Sequence, residues 1–279
     1  MTQETAGAVS RSFETPAPVE LDVRNFTGTI DVTAADTATS TVEVRALRDN
    51  NESRNAVERT RIDLSGNGRR LTVTPPERRM TFGRGTELAI TITVPTDSTV
   101  RLKSASADST CHGRLAELRV QTASGWVDAD EVTGQVEVRA ASGGVRIGQA
   151  GQVEAHTASG TIRVGAAAGD VQVHVASGKV EIGTAGGSVS VKSASSDISV
   201  DEVSRGRVEL STASGDLRIG VRPGSVARLD LYTVSGRTRS DLPIEDSAPA
   251  GGSTVEVKAK TVSGNILIVR AAGRADSAA

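Results

Sequence analysis

Aromatic side chains make up only 2% of this chain: three Phe, one Tyr and one Trp in 279 residues. A large globular core usually holds more of them, so the Val, Ile, Leu and Ala present must fill something thinner. The single cysteine, Cys111, excludes an internal disulfide. It falls at an inward strand position and reads as a small buried hydrophobe. No run approaches the roughly 18 apolar residues needed to span a bilayer. The opening MTQETAGAVSRSFETPAP has neither the basic start nor the apolar stretch of a signal peptide. The expected location is therefore cytoplasmic, with peripheral membrane association left open. No charge sign is in excess: 32 Lys and Arg face 34 Asp and Glu, for a net charge of −2. That balance argues against a specific nucleic-acid partner.

What the chain has in quantity is one phrase: TASGWVDAD, RAASGGVRIG, HTASGTIRVG, HVASGKVEIG, KSASSDISVD, STASGDLRIG. Its serines, Ser106, Ser124, Ser142, Ser159, Ser177, Ser195 and Ser214, recur at a near-constant step, and weaker copies follow at Ser235 and Ser263. A fixed period is read as a repeat architecture first. Within each period apolar residues alternate, as in Val136 and Val138, Val153 and Ala155, Ile162 and Val164, Val171 and Val173, Val180 and Ile182. Alternation with period two and β-branched residues is the strand signal, so each repeat holds two short strands. One connection is the Ser-Gly corner, at Ser124-Gly125, Ser142-Gly143, Ser159-Gly160, Ser177-Gly178 and Ser214-Gly215. The other is a glycine-rich corner such as 183–187.

An up-and-down meander and a β-solenoid both fit such strands. The solenoid is preferred because it stacks like corners on like. Two other coils of the same length are excluded. The hexapeptide helix needs an aliphatic residue every six positions, and the calcium-binding nonapeptide coil needs G-G-x-G-x-D; neither pattern occurs. The expected fold is thus all-β: a single-chain β-solenoid, about 18 residues and two short strands per coil, with an irregular β cap at the N-terminal end.

The chain is expected to divide into a disordered 1–14, a capping region over 15–100, regular coils over 101–222, looser coils over 223–270 with a loop at 241–253, and a disordered tail at 271–279. Residues 18–34 read as a degenerate coil with Thr27 in the serine's place. Ile62 and Leu64, Gly66-Asn67-Gly68, then Leu71 and Val73 form a hairpin signal. Val255, Val257, Ile266 and Ile268 read as the last coil.

LDVRNFTGTIDVTA, VPTDSTVRLKSASAD and the tandem A-S-G coils resemble the bacterial putative-adhesin β-repeat family, also called Toastrack domains. The resemblance spans roughly residues 15–270. It implies a β-solenoid-like module without assigned catalysis. Many members are joined to membrane segments or linked with envelope-stress systems, which implies envelope-associated or stress-related partners. It supplies no catalytic residue to carry over.

The residues themselves point away from catalysis. No G-x-S-x-G or S-x-x-K accompanies the serine column. Cys111 and His112 are neighbours on a strand and face opposite ways. Trp126, Asp128, Asp130 and Glu131 form one candidate cluster for a carbohydrate-active β-helix enzyme, without a second aromatic platform. No catalytic residue, metal or cofactor is assigned. Glu154, His156 and His174 have metal-binding side chains, but a solvated face is the preferred reading.

The outward column three residues before each serine includes Arg139, His156, His174 and Lys192, a candidate stripe for an anionic partner. An outward acid column, Glu137, Glu154, Gln172, Ser190, Glu209, Asp230 and Glu256, is read two residues earlier. A second basic patch is Arg69, Arg70, Arg78, Arg79 and Arg84. The expected function is a non-catalytic scaffold or binding module, with a protein partner or an anionic surface. The alternatives are the carbohydrate-active enzyme and a surface adhesin.

Overall fold

The computed structural model describes the backbone of residues 2–5 and residues 8–76, 86–242 and 253–272. The chain forms two compact units, 1–145 and 146–279.

The first unit contains β1 (Thr2–Thr5), β2 (Ala8–Glu14), β3 (Glu20–Ala35), β4 (Thr39–Ala46), α1 (Asn51–Arg59), β5 (Arg61–Ser65), β6 (Arg70–Thr74), β7 (Leu88–Pro95), β8 (Thr99–Leu115), β9 (Glu117–Thr122) and β10 (Val127–Ala140). The coil pairings are parallel. β3 pairs with β8, Thr27 opposite Ser106; β8 then pairs with β9 and β10, and β9 with β10, each one repeat period on, as in Leu118 opposite Val136. On its other side β3 pairs in parallel with β6 and β7. The outer coil is then covered by antiparallel strands: β5 on β6, β4 on β7, and β2 on β4. This is the β cap, and it hides the strand edge that a solenoid end would otherwise offer. Asn50 caps α1, its side chain accepting from Ser53 N–H.

Strand β2 corrects the expected disorder of residues 1–14. Val9 is buried opposite Val44, and Arg11 Nη1 donates to the Ile62 carbonyl at 2.9 Å. With only Val9 and Phe13 as large apolar residues, this segment carries little strand signal of its own. It is ordered by the edge of β4.

The second unit contains β11 (Val145–Ala167), β12 (Val171–Ala185), β13 (Val189–Val203), β14 (Gly206–Ser211), β15 (Leu217–Val221), β16 (Val226–Ser235), β17 (Thr238–Ser240), β18 (Thr254–Ser263) and β19 (Ile266–Arg270). β11, β12 and β13 run in parallel register, Val153 beside Val171 beside Val189, and Ile162 beside Val180 beside Ile198. Parallel pairing between successive repeats is solenoid pairing; a meander would pair them antiparallel. Every second residue, including Val171, Val173, Val180 and Ile182, is buried in the slot between the two strand layers.

The structure explains three letters of the T-A-S-G phrase. The threonine is buried and satisfies the corner: Thr157 Oγ1 donates to the Ser159 carbonyl at 3.0 Å, and Thr212 Oγ1 to the Ser214 carbonyl at 2.9 Å. The serine is outward. The glycine is needed for closeness: Gly178 has φ 142°, and a Cβ there would lie 1.9 Å from the Gly160 carbonyl oxygen of the coil below. Where an aspartate follows the corner, it caps the next coil. Asp197 Oδ1 accepts from Asp216 N–H at 2.9 Å, and Asp216 Oδ1 from Asn265 N–H at 2.7 Å.

The end of this unit departs from chain order. β18 and β19 pair directly with β14 and β15, while β16 and β17 pair with β18 and β19. The coil over 254–270, expected as the last, is therefore inserted between its predecessors. The observed order also sets opposite charges side by side. In chain-order stacking, with Ser214 beside Ser235, Arg207 would face Arg228 and Glu209 would face Asp230. In the observed order Glu256 lies between the two arginines and Lys258 between the two acids. The same register corrects the acid column: Lys258, not Glu256, stands beside Glu209 and Asp230.

The expected loop over 241–253 lies mostly outside the described residues, as do 273–279. Ala271, placed in the tail by sequence, is buried and its N–H donates to the Val221 carbonyl at 2.8 Å.

Candidate functional site

In the second unit the outward column consists of His156 on β11, His174 on β12 and Lys192 on β13, side by side in register. The coil period produces this alignment, because each lies three residues before its corner serine. The two imidazole centroids are 4.8 Å apart and tilted by 43°, and Nδ1 of His174 lies 3.3 Å from Nδ1 of His156. His156 Nε2 is 3.0 Å from Glu154 Oε1 on the same strand face. Both rings are half-buried and Lys192 is exposed. Together with Thr157, Val175 and Ser193 they line a shallow open depression.

The electrostatics of the column run downhill from Glu154 to Lys192. The His174 pKa is lowered from its usual 6.5, first by partial burial, then by His156 and Lys192; Glu154 acts in the opposite sense but more weakly. Around Lys192 the register places Ser190 and Ser211, with Glu209 on the diagonal. Glu154 therefore serves one end of the column only.

Arg139 belongs to the first unit, on β10. Its Nη2 lies 2.9 Å from Glu137 Oε1, and Arg119 Nε lies 3.8 Å from Glu137 Oε2. Its charge is engaged by the acid that the neighbouring column sets beside it. Of the second basic patch, Arg69 is exposed on the β5–β6 turn. Arg70 Nη2 is 2.8 Å from Glu20 Oε2, which Arg101 also approaches at 3.4 Å. Hydrogen bonds from Arg70 and Arg101 hold the Glu20 carboxyl below the usual range. Arg78, Arg79 and Arg84 lie outside the described residues.

Ser124, Gly125, Ser142 and Gly143 stand at Ser-Gly corners of the first unit, and Ser159, Gly160, Ser177, Gly178, Ser214 and Gly215 at those of the second. Ser106 Oγ and Ser124 Oγ are 3.0 Å apart along the stack, while Ser195, Ser214 and Ser263 are joined through their backbones. The buried threonines described above, which sequence spacing did not single out, hold the corner from inside.

The Cys111 thiol is fully buried, and burial, with Asp130, Asp128 and Asp31 nearby, pushes its pKa up to about 12. A thiol so placed stays protonated and inert. His112 faces the other way, its Nδ1 3.1 Å from Asp130 Oδ2. Trp126 is exposed and its indole lies against Gly144, where a Cβ would meet the ring at 2.1 Å. Among the described residues no group of three or more His, Cys, Asp and Glu side chains is placed to hold a metal ion. Among them, too, no helix is long and apolar enough to cross a membrane.

Stacked two-strand coils, parallel register and Thr-x-Ser-Gly corners define a β-solenoid repeat protein. Residues 20–269 match the Toastrack DUF4097 family, and the chain belongs to it. Solved structures similar to it include a putative adhesin from Bacteroides fragilis (14% identity, 95% of this chain and 98% of that one, TM-score 0.47). Another is a putative adhesin from Parabacteroides merdae (11% identity, 95% and 97%, TM-score 0.48). A third is a putative lipid binding protein from Parabacteroides distasonis (14% identity, 95% and 96%, TM-score 0.31). No curated protein matches the chain.

Proposed function

We propose that this chain is a non-catalytic β-solenoid scaffold whose His156–His174–Lys192 column receives an anionic surface, more strongly as pH falls. The observation that carries this reading is the pair of histidines in register, Nδ1 atoms 3.3 Å apart, beside an exposed lysine and with Glu154 at one end only. Protonating both rings sets like charges side by side, which is unfavourable until an anion shares them. The depression is open and unwalled, which suits a flat partner presenting several anionic groups better than a single enclosed ligand. An envelope-associated partner would present such a surface, and association with it would be peripheral. The adhesin alternative shares the idea of a binding module. The carbohydrate-active alternative would need a ring platform, and the one exposed indole rests on Gly144.

The test is co-sedimentation with phosphatidylglycerol vesicles, with phosphatidylcholine vesicles as the neutral reference. Wild-type protein should bind the anionic vesicles at about pH 5.5, release at about pH 7.5, and release with added salt. His174→Glu with Lys192→Glu should lose most of that binding. The control, Arg218→Glu with Arg270→Glu, places its charge changes on two exposed positions of the other strand layer. Equal loss in both pairs, or equal binding to neutral vesicles, would refute the column as the binding site.

A further inference from the structure

We propose that the open edge of β16 pairs with the same edge of a second copy of this chain, forming an antiparallel, two-fold symmetric junction centred on Leu229.

The edge is unfinished. Among the described residues β16 pairs with β18 alone, and no strand lies on its other side. In the first unit the outer coil is covered by antiparallel β4 and β5. The side chains register the difference. Val208 and Leu210 on β14, and Val257 and Ala259 on β18, are 0% exposed. Leu229 and Leu231, their counterparts on β16, remain half-buried although they point into the same slot. A slot that ends in two partly wetted leucines and a free row of backbone donors and acceptors is a surface for strand addition.

The charges name the occupant. Along the stack, one row reads Arg207, Glu256, Arg228 and the adjacent row reads Glu209, Lys258, Asp230. Both alternate, and Arg207 Nη2 lies 3.0 Å from Glu256 Oε2. A further strand that keeps the alternation must set an acid beside Arg228 and a base beside Asp230. A second β16, run antiparallel and centred on Leu229, does so: its Asp230 faces Arg228 and its Arg228 faces Asp230. The same register brings Leu229 against Leu229 and Leu231 against Ala227, closing the slot from both sides. A parallel copy in register would instead set Arg228 against Arg228 and Asp230 against Asp230, which is unfavourable. The antiparallel junction is isologous, so it closes at two copies and grows no filament.

The junction is tested by light scattering on the full chain at about 100 µM, well above the micromolar range of modest interfaces. Wild-type protein should show twice the 28.7 kDa chain mass. Arg228→Asp faces acid with acid across the axis and should be monomeric, and Asp230→Arg faces base with base and should be monomeric too. Mixed in equal amounts, the two variants have complementary edges and should restore the doubled mass. A merely damaged edge strand cannot produce that rescue. Leu229→Cys gives an independent measurement, because residues directly opposite in an antiparallel pair have Cα atoms about 4.5–5.5 Å apart, within disulfide reach. The chain's one native thiol, Cys111, is buried, so under oxidation this variant should form one covalent dimer at position 229. A monomeric wild type, a mass that climbs with concentration beyond two copies, an unrescued mixture, or no disulfide at position 229 would each overturn the junction.

Discussion

His174 Nδ1 lies 3.3 Å from His156 Nδ1, a distance at which one ring donates and the other accepts. The contact is available only while at least one of these nitrogens is unprotonated. The lowered pKa of His174 follows from its partial burial first and from the neighbouring His156 and Lys192 second.

This sets a pH dependence with a definite sign. In the unfolded chain His174 titrates near 6.5, and in the fold it takes its proton at lower pH. Between those two values the unfolded state binds more protons, so stability falls as pH drops through that window and levels off below it. An NMR titration should give His174 a midpoint below 6.5. His156→Gln should raise that midpoint, and His174→Gln should flatten the acid limb of the melting curve. A His174 midpoint at or above 6.5 would contradict the column's geometry.

The alternation of Val171 with Val173 and Val180 with Ile182 was enough to read two strands per period, and the constant serine step was enough to align His156, His174 and Lys192. Both are local or strictly periodic facts. The inserted coil was not legible, because its place is set by pairings between strands far apart in sequence, β14 with β18 and β18 with β16. β2 was missed for a similar reason: its order comes from β4, not from its own residues. The site was half legible. Spacing gives the column and the acid Glu137 beside Arg139, but not the corner role of Thr122, Thr157 and Thr212, each two residues before its serine.

That threonine gives a second prediction. Thr157 is buried and its hydroxyl donates to the Ser159 carbonyl. Thr157→Val keeps the shape and leaves the carbonyl unpaired, which should cost about 1–3 kcal/mol. Ser159→Ala, on the exposed side of the same corner, should stay within about 0.5 kcal/mol. Urea unfolding of both variants decides it; a larger cost at Ser159 would mean the corner is held from outside.

The coil period gives a third. Removing residues 162–179 takes out one full period and joins Thr161 to Val180, the register equivalent of Ile162. Like corners remain stacked, and a shorter folded protein with a cooperative melt is expected. Removing residues 171–179 sets a Ser-Gly corner over a glycine-rich one. Its buried partners and corner bonds are then lost together, and it should be insoluble or melt without cooperativity. A milder outcome for the shorter deletion would contradict the parallel register.

Burial along one strand gives the fourth. Val173 is 0% exposed, with Ala155 on one side and Val191 on the other. Gln172, its chain neighbour, faces solvent. Val173→Asp places a carboxylate in a slot that offers only aliphatic neighbours in register, with no cation to pair it. The group must be buried charged or be forced to take a proton, and either way the cost should be several kcal/mol. Gln172→Asp adds the same carboxylate to water, with Glu154 across the register and the exposed Asp170 two residues before it, and should change stability by no more than about 0.5 kcal/mol. Because an ionised carboxylate is the costly species, the loss at Val173 should shrink as pH falls from neutral toward about 4 and level off below that, where aspartate is protonated in the unfolded chain as well. Thermal melts of both variants at neutral pH and near pH 4 separate the two effects: equal losses at neutral pH would refute the inward and outward assignment, and a loss at Val173 that ignores pH would place the new side chain in water.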